Sequence, residues 1–91
     1  MSNSAVLLLI FRRADLVRLQ IEALRGVRPE KVYVAADGPR ENNPGDAAAC
    51  DQARFALSSI DWPCQMKTLF RPKNLGVRLA VSQAIDWFFQ H

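Results

Sequence analysis

The chain has 91 residues and a mass of 10.2 kDa, room for one small domain and not for two. Hydrophobic residues make up 49% and charged residues 23%, proportions of a folded domain that argue against disorder, collagen-like or low-complexity structure. Twelve Lys and Arg against nine Asp and Glu leave a net charge of +3, an excess that suits an anionic ligand but is too small and scattered to call for nucleic acid.

Val6 to Phe11 is a short, continuously apolar run, the pattern of a strand buried on both faces. It falls well short of the roughly 20 residues of a membrane-spanning helix. It also lacks the flanks of a signal peptide. Asp15 to Gly26 then switches to helical spacing, with Leu16, Leu19, Ala23 and Leu24 on one stripe and Gly26 as the stop. Lys31 to Ala36 is a second strand, closed by the turn signal Asp37-Gly38-Pro39. After a polar loop, Asp46 is placed to N-cap a helix over Ala47 to Ile60, whose Ala49, Ala53, Ala56 and Leu57 form a small-residue face. Asp61-Trp62-Pro63 ends it. Cys64 to Phe70 is a third strand, Arg71 to Asn74 a loop, and Leu75 to Gln90 a third helix with Leu79, Ile85, Trp87 and Phe88 available for burial.

This βαβαβα order predicts an α/β fold, a three-layer α/β/α arrangement around a parallel sheet. In such a sheet the carboxyl ends of all strands share one edge, and ligands bind in the crevice there. Three clusters meet on that rim: Phe11-Arg12-Arg13, Asp37-Gly38-Pro39-Arg40 and Arg71-Pro72-Lys73-Asn74. Their chemistry fits a nucleotide diphosphate. Arginine offers permanently charged, planar donors to phosphate or to a base carbonyl. Asp37 can accept from a base N–H or a ribose hydroxyl, and Gly38 allows close backbone approach. Asn74-Leu75-Gly76 opens a helix whose first amides favour an anion.

Each piece has a plain structural reading as well. Asp37-Gly38-Pro39 is also an ordinary turn, Arg12 and Arg13 are also solvated rim charges, and Asn74 is also a simple helix cap. Trp87, Phe88 and Phe89 read as core or interface residues. Cys50 and Cys64 are too few for a disulfide framework or a four-ligand zinc site and read as reduced thiols in a cytoplasmic protein. The Gly-rich turn of a dinucleotide-binding domain is missing after the first strand, and GxxxxGK[ST] occurs nowhere. A phospho-receiver domain would carry acids where Arg12 and Arg71 stand. The sole histidine, the terminal His91, leaves no room for a Ser/His/Asp or Cys/His set before it.

Residues 5–13, 32–39 and 71–76 together resemble the N-terminal nucleotide-binding part of a glycosyltransferase with the A-type nucleotide-diphospho-sugar transferase fold. The likeness is to family-2-like bacterial enzymes and the N-acetylglucosaminyltransferase I group, and it spans residues 5–90. It implies a Rossmann-like half-domain of strand order 3-2-1. It implies that Phe11, Arg13, Asp37 and Gly38 belong to the nucleotide-binding site, with Arg13 and Asp37 contacting the base. It also implies that Arg71, Asn74 and Gly76 shape the pocket, Asn74 and Gly76 on its phosphate side. The usual Ala-Arg-Asn of the following helix is Ala80-Val81-Ser82 here, and Arg78, one turn earlier, is the residue placed to substitute.

The resemblance further implies a DxD metal motif after the next strand, which this sequence does not contain. The 91 residues are therefore expected to be part of a longer transferase, inactive alone and without catalytic residues or a cofactor of their own. A divalent metal, Mn or Mg, is expected only in the full-length enzyme. With the family's fourth strand missing, the first strand is expected to present an apolar edge through which two copies could pair as a homodimer. The competing expectation is a small non-enzymatic α/β module whose basic rim binds an acidic protein or peptide.

Overall fold

The computed structural model describes residues 4–90; His91 lies outside the described residues. In chain order the elements are β1 (Ala5–Ile10), α1 (Ala14–Arg25), β2 (Lys31–Ala36), α2 (Asp46–Phe55) continued by a 3-10 turn (Ala56–Ser59), β3 (Gln65–Phe70) and α3 (Val77–Phe89). The strands form one parallel sheet in the spatial order β1-β2-β3. Leu8 stands beside Val34, which stands beside Thr68, and Ile10, Ala36 and Phe70 make the next such row.

Side-chain alternation divides the sheet into two faces. Leu8, Ile10, Val32, Val34 and Ala36 point to one side, where Val17 and Ile21 of α1, Ala53 of α2, and Ala56, Leu57 and Trp62 complete the core. Tyr33 points to the other side and meets Trp87 and Phe88 of α3 edge to face, with ring centroids 5.5 and 5.1 Å away. Helices α1 and α2 therefore cover one face of the sheet, while α3 lies on the other and packs back across β1. The Trp62 indole N–H donates to the Pro29 carbonyl at 3.0 Å and ties the two connections at the amino end of the sheet.

Three sequence expectations need correction. The strand buried on both faces is β2, the middle strand, whereas Leu9 of β1 is 40% exposed. An apolar run signals two-sided burial only when both flanks are occupied, and β1 stands at the end of the sheet. The buried stripe of α1 is Val17 and Ile21 with Leu24 packed beside them; Leu16 and Leu19 are exposed. Both sets have helical periodicity, so spacing alone does not choose between them. In α3 the buried position is Ala84, and Leu79 and Ile85 remain exposed on the outer side.

The N-cap of α2 is Gly45, at φ +91°, and not Asp46, whose side chain has a different task. Helix α2 also ends at Phe55, and Ala56–Ser59 of the expected helix tighten into the 3-10 turn. No helix among the described residues is long and apolar enough to cross a membrane. Cys50 and Cys64 are free thiols, and burial pushes both up from the ordinary thiol range.

Candidate functional site

A cavity of about 520 Å³ opens at the carboxyl end of β1, between α1 and α3. That volume is in the range of small-molecule sites. Its location follows from the topology. The connections from β1 and β2 lie over one face and α3 over the other, so the chain divides around the tip of β1 and leaves a crevice there. Leu9, Leu16, Val77 and Val81 give it apolar walls, and Arg12, Arg13, Arg40 and Arg71 stand around its mouth.

Phe11, Arg13, Asp37, Arg71, Asn74 and Gly76 all line this cavity. Gly38 and Arg78 do not line it. Gly38 is buried, and a Cβ there would stand 2.6 Å from backbone atoms of Lys73 and 2.7 Å from the Arg71 carbonyl oxygen. Its missing side chain makes room for the chain's own β3–α3 loop, not for a ligand. Arg78 is exposed on α3.

Asp37 links the two loops beyond β2 and β3. Its Oδ1 accepts the Gly38 and Leu75 amides, each at 2.8 Å, and its Oδ2 accepts the Asn74 Nδ2 amide at 3.1 Å. Asn74 also donates to the Gly38 carbonyl at 3.0 Å, and the Asn74 amide to the Pro39 carbonyl at 3.2 Å. A carboxylate has about four acceptor sites, so these contacts leave roughly one for a bound molecule. Gly76, at φ +87° and ψ 156°, then turns the chain into α3 in a conformation that only glycine adopts readily.

The arginines differ in how their charge is met. Asp46, 2% exposed, accepts Arg40 Nε at 2.8 Å, Arg40 Nη2 at 3.1 Å, the Arg40 amide at 3.0 Å and Arg12 Nη1 at 3.3 Å. The Arg40 guanidinium holds the Asp46 carboxyl well below the usual carboxylate range, and Asp46 in turn raises Arg40. Both guanidinium groups also lie 5.7 Å from the centre of the Phe11 ring. Arg13 pairs with Asp15 at 2.8 Å on the open surface, and this contact lowers Asp15 to about 2. An exposed pair of this kind is weak and exchangeable. Arg71 donates to neutral Gln83 at 2.7 Å. Among the described residues it is the lining arginine without a carboxylate partner, so its positive charge is the least neutralised at the cavity mouth.

Two residues of this arrangement escape sequence reading. Asp46 looks like a cap because it begins a helix, and nothing in its neighbourhood announces two arginine partners. Arg54 of α2 looks like a solvated charge; instead its Nη2 donates to the carbonyls of Asp37 at 3.2 Å and Arg71 at 2.8 Å.

No family model, curated protein or solved structure matches the chain. No three His, Cys, Asp or Glu side chains among the described residues come together as a group that could hold a metal ion. The described residues therefore offer no ligand set for a divalent metal.

Proposed function

We propose that this chain is the sugar-nucleotide-binding part of a glycosyltransferase that moves a sugar from a nucleotide diphosphate donor to an acceptor hydroxyl. The observation that carries the reading is the cavity at the tip of β1, where apolar walls meet an arginine-lined mouth at the point where the helices divide between the two faces of the sheet. A nucleotide has matching halves: a flat base that gains by leaving water and a diphosphate that needs cationic donors. In this reading the base lies against Leu9, Leu16 and Val77. The remaining acceptor site of Asp37 takes a base N–H. Arg71 meets the diphosphate, and Arg13 releases Asp15 to contact the base beside Asp37. Asn74 and Gly76 hold the shape of the loop, Gly38 acts from behind it, and Arg78 contributes only at long range. The transfer step itself belongs to a longer protein that supplies the acceptor site.

The finer architecture follows from the same reading. Helix α3 returns across β1 on the face opposite α1 and α2. A right-handed crossover from β3 along that path would lead to the outer side of β1, which supports reading the sheet as the Rossmann-like half of a nucleotide-diphospho-sugar transferase fold. Isothermal calorimetry with uridine and guanosine diphosphates tests the site. Saturable binding that weakens at high salt and in Arg71→Ala supports it. Absence of heat at millimolar ligand, with an acidic peptide binding instead, would replace it with the interaction-module reading.

A further inference from the structure

We propose that Arg54 is a positioning residue that sets the placement of Arg71 and of the whole cavity mouth. The inference rests on the anion-binding reading of that mouth. Arg54 sits on α2, outside the cavity lining, and its guanidinium bridges the carboxyl ends of β2 and β3. One nitrogen, Nη2, donates to both the Asp37 and the Arg71 carbonyls. The guanidinium carbon lies 4.7 Å from the centre of the Phe70 ring, so the aromatic face holds the group over the end of β3. Cys50 Sγ also donates to the Asp37 carbonyl, at 3.9 Å.

These contacts act on the two loops from below, while Asp37, Gly38 and Asn74 join them from within. The Arg71 backbone is thus fixed by Arg54 at its carbonyl and by the Ala36 carbonyl at its amide, 2.9 Å away. Gln83 then aims the Arg71 side chain. A permanently charged group bonded to two carbonyls is a stiff link, because a planar guanidinium loses little freedom per bond formed. Its Nε is buried without a partner, so the side chain is held in place by the demands of the two carbonyls despite an unmet donor of its own. The mouth is accordingly preformed, and removal of Arg54 loosens Arg71 before it loosens the core.

The test is amide hydrogen exchange and pyrophosphate titration on the 91-residue chain, comparing wild type, Arg54→Met and Arg54→Lys. In Arg54→Met, exchange at Gly38, Arg71 and Leu75 is expected to accelerate about tenfold or more relative to Val34 in the middle strand, and binding of inorganic pyrophosphate to weaken about tenfold. Arg54→Lys, which retains a cationic donor, should recover most of both losses. Equal acceleration at Val34, or unchanged exchange at the loops, overturns the positioning role. So does pyrophosphate binding that ignores the Met variant. If wild type binds neither pyrophosphate nor a nucleoside diphosphate while the loops still loosen, the anion-site reading fails and the link between Arg54 and Arg71 stands.

Discussion

Asp37 and Leu75 are 38 positions apart in sequence and joined by a 2.8 Å hydrogen bond from the Leu75 amide to Asp37 Oδ1. This bond closes the loop after β3 onto the end of β2. The residue that the sequence marks as a ligand contact is thus first a structural clamp, with three of its acceptor sites filled by the chain. Asp37→Ala leaves the Gly38 and Leu75 amides without their acceptor and should lower stability by about 2 kcal/mol. Asp37→Asn keeps one acceptor oxygen and should lose less, although its new amide faces the Asn74 amide. Urea denaturation of the three chains checks the order.

Gly38 and Gly76 should both resist substitution, for unrelated reasons. Gly38→Ala forces a methyl group to within 2.6 Å of the Lys73 backbone, so the β3–α3 loop must move. The expected loss is about 1–3 kcal/mol, as for overpacking elsewhere. Gly76→Ala meets no atom within 4 Å but must hold φ near +87°, with a similar loss of about 1–3 kcal/mol. A D-alanine placed at position 76 by chemical synthesis accepts positive φ and should recover the stability; the same residue at 38 should bring no such recovery.

Asp46 gives the chain an acid-sensitive joint. Its folded-state pKa is depressed below the unfolded value, so its contribution is fully present above the ordinary carboxylate range and is lost as pH falls through the folded value. Stability should therefore be flat near neutrality with respect to this group and decline below about pH 4, beneath the ordinary carboxylate value of 3.8. Asp15, lowered to about 2 by Arg13, titrates in the same direction but is exposed and contributes little. Asp46→Asn should flatten the acid limb of a stability profile measured by circular dichroism; an unchanged limb would show that Asp46 is not its source.

The outer side of β1 is an open sheet edge. The carbonyls of Ser4 and Ile10 accept from Lys31 and Asp37 on the β2 side, so the even-numbered residues of β1 turn their backbone inward and Ala5, Leu7 and Leu9 turn theirs outward. At the carboxyl end of this edge the cavity is lined by apolar Leu9, Leu16 and Val81. Such an edge pairs readily with another strand. Sedimentation should show concentration-dependent association of the 91-residue chain, and Leu9→Lys should return it to monomer. A single monomer species at all concentrations would remove the proposed homodimer.

The alternation of short apolar runs with helical spacing was sufficient to read an α/β chain with a parallel sheet, because β2 and the Ala53-Ala56-Leu57 face of the α2 segment carry unambiguous patterns. Helix α1 was not legible in the same way, since it has two periodic apolar sets and only the sheet chooses Val17 and Ile21 over Leu16 and Leu19. At the cavity, strand ends are visible in sequence, so Arg13, Asp37, Arg71 and Asn74 could be placed together. The partners of those side chains could not. Asp46 and Arg54 act through contacts 34 and 17 positions away, set by how α2 lies on the sheet.

The central claim is that the cavity at the tip of β1 receives a nucleoside diphosphate. A titration of isotope-labelled protein with uridine and guanosine diphosphates, followed through its backbone amide resonances, tests it most directly. The expected result is saturable shifts confined to residues 11–13, 37–40 and 71–77. Shifts scattered over the surface, or none at millimolar ligand, would contradict it.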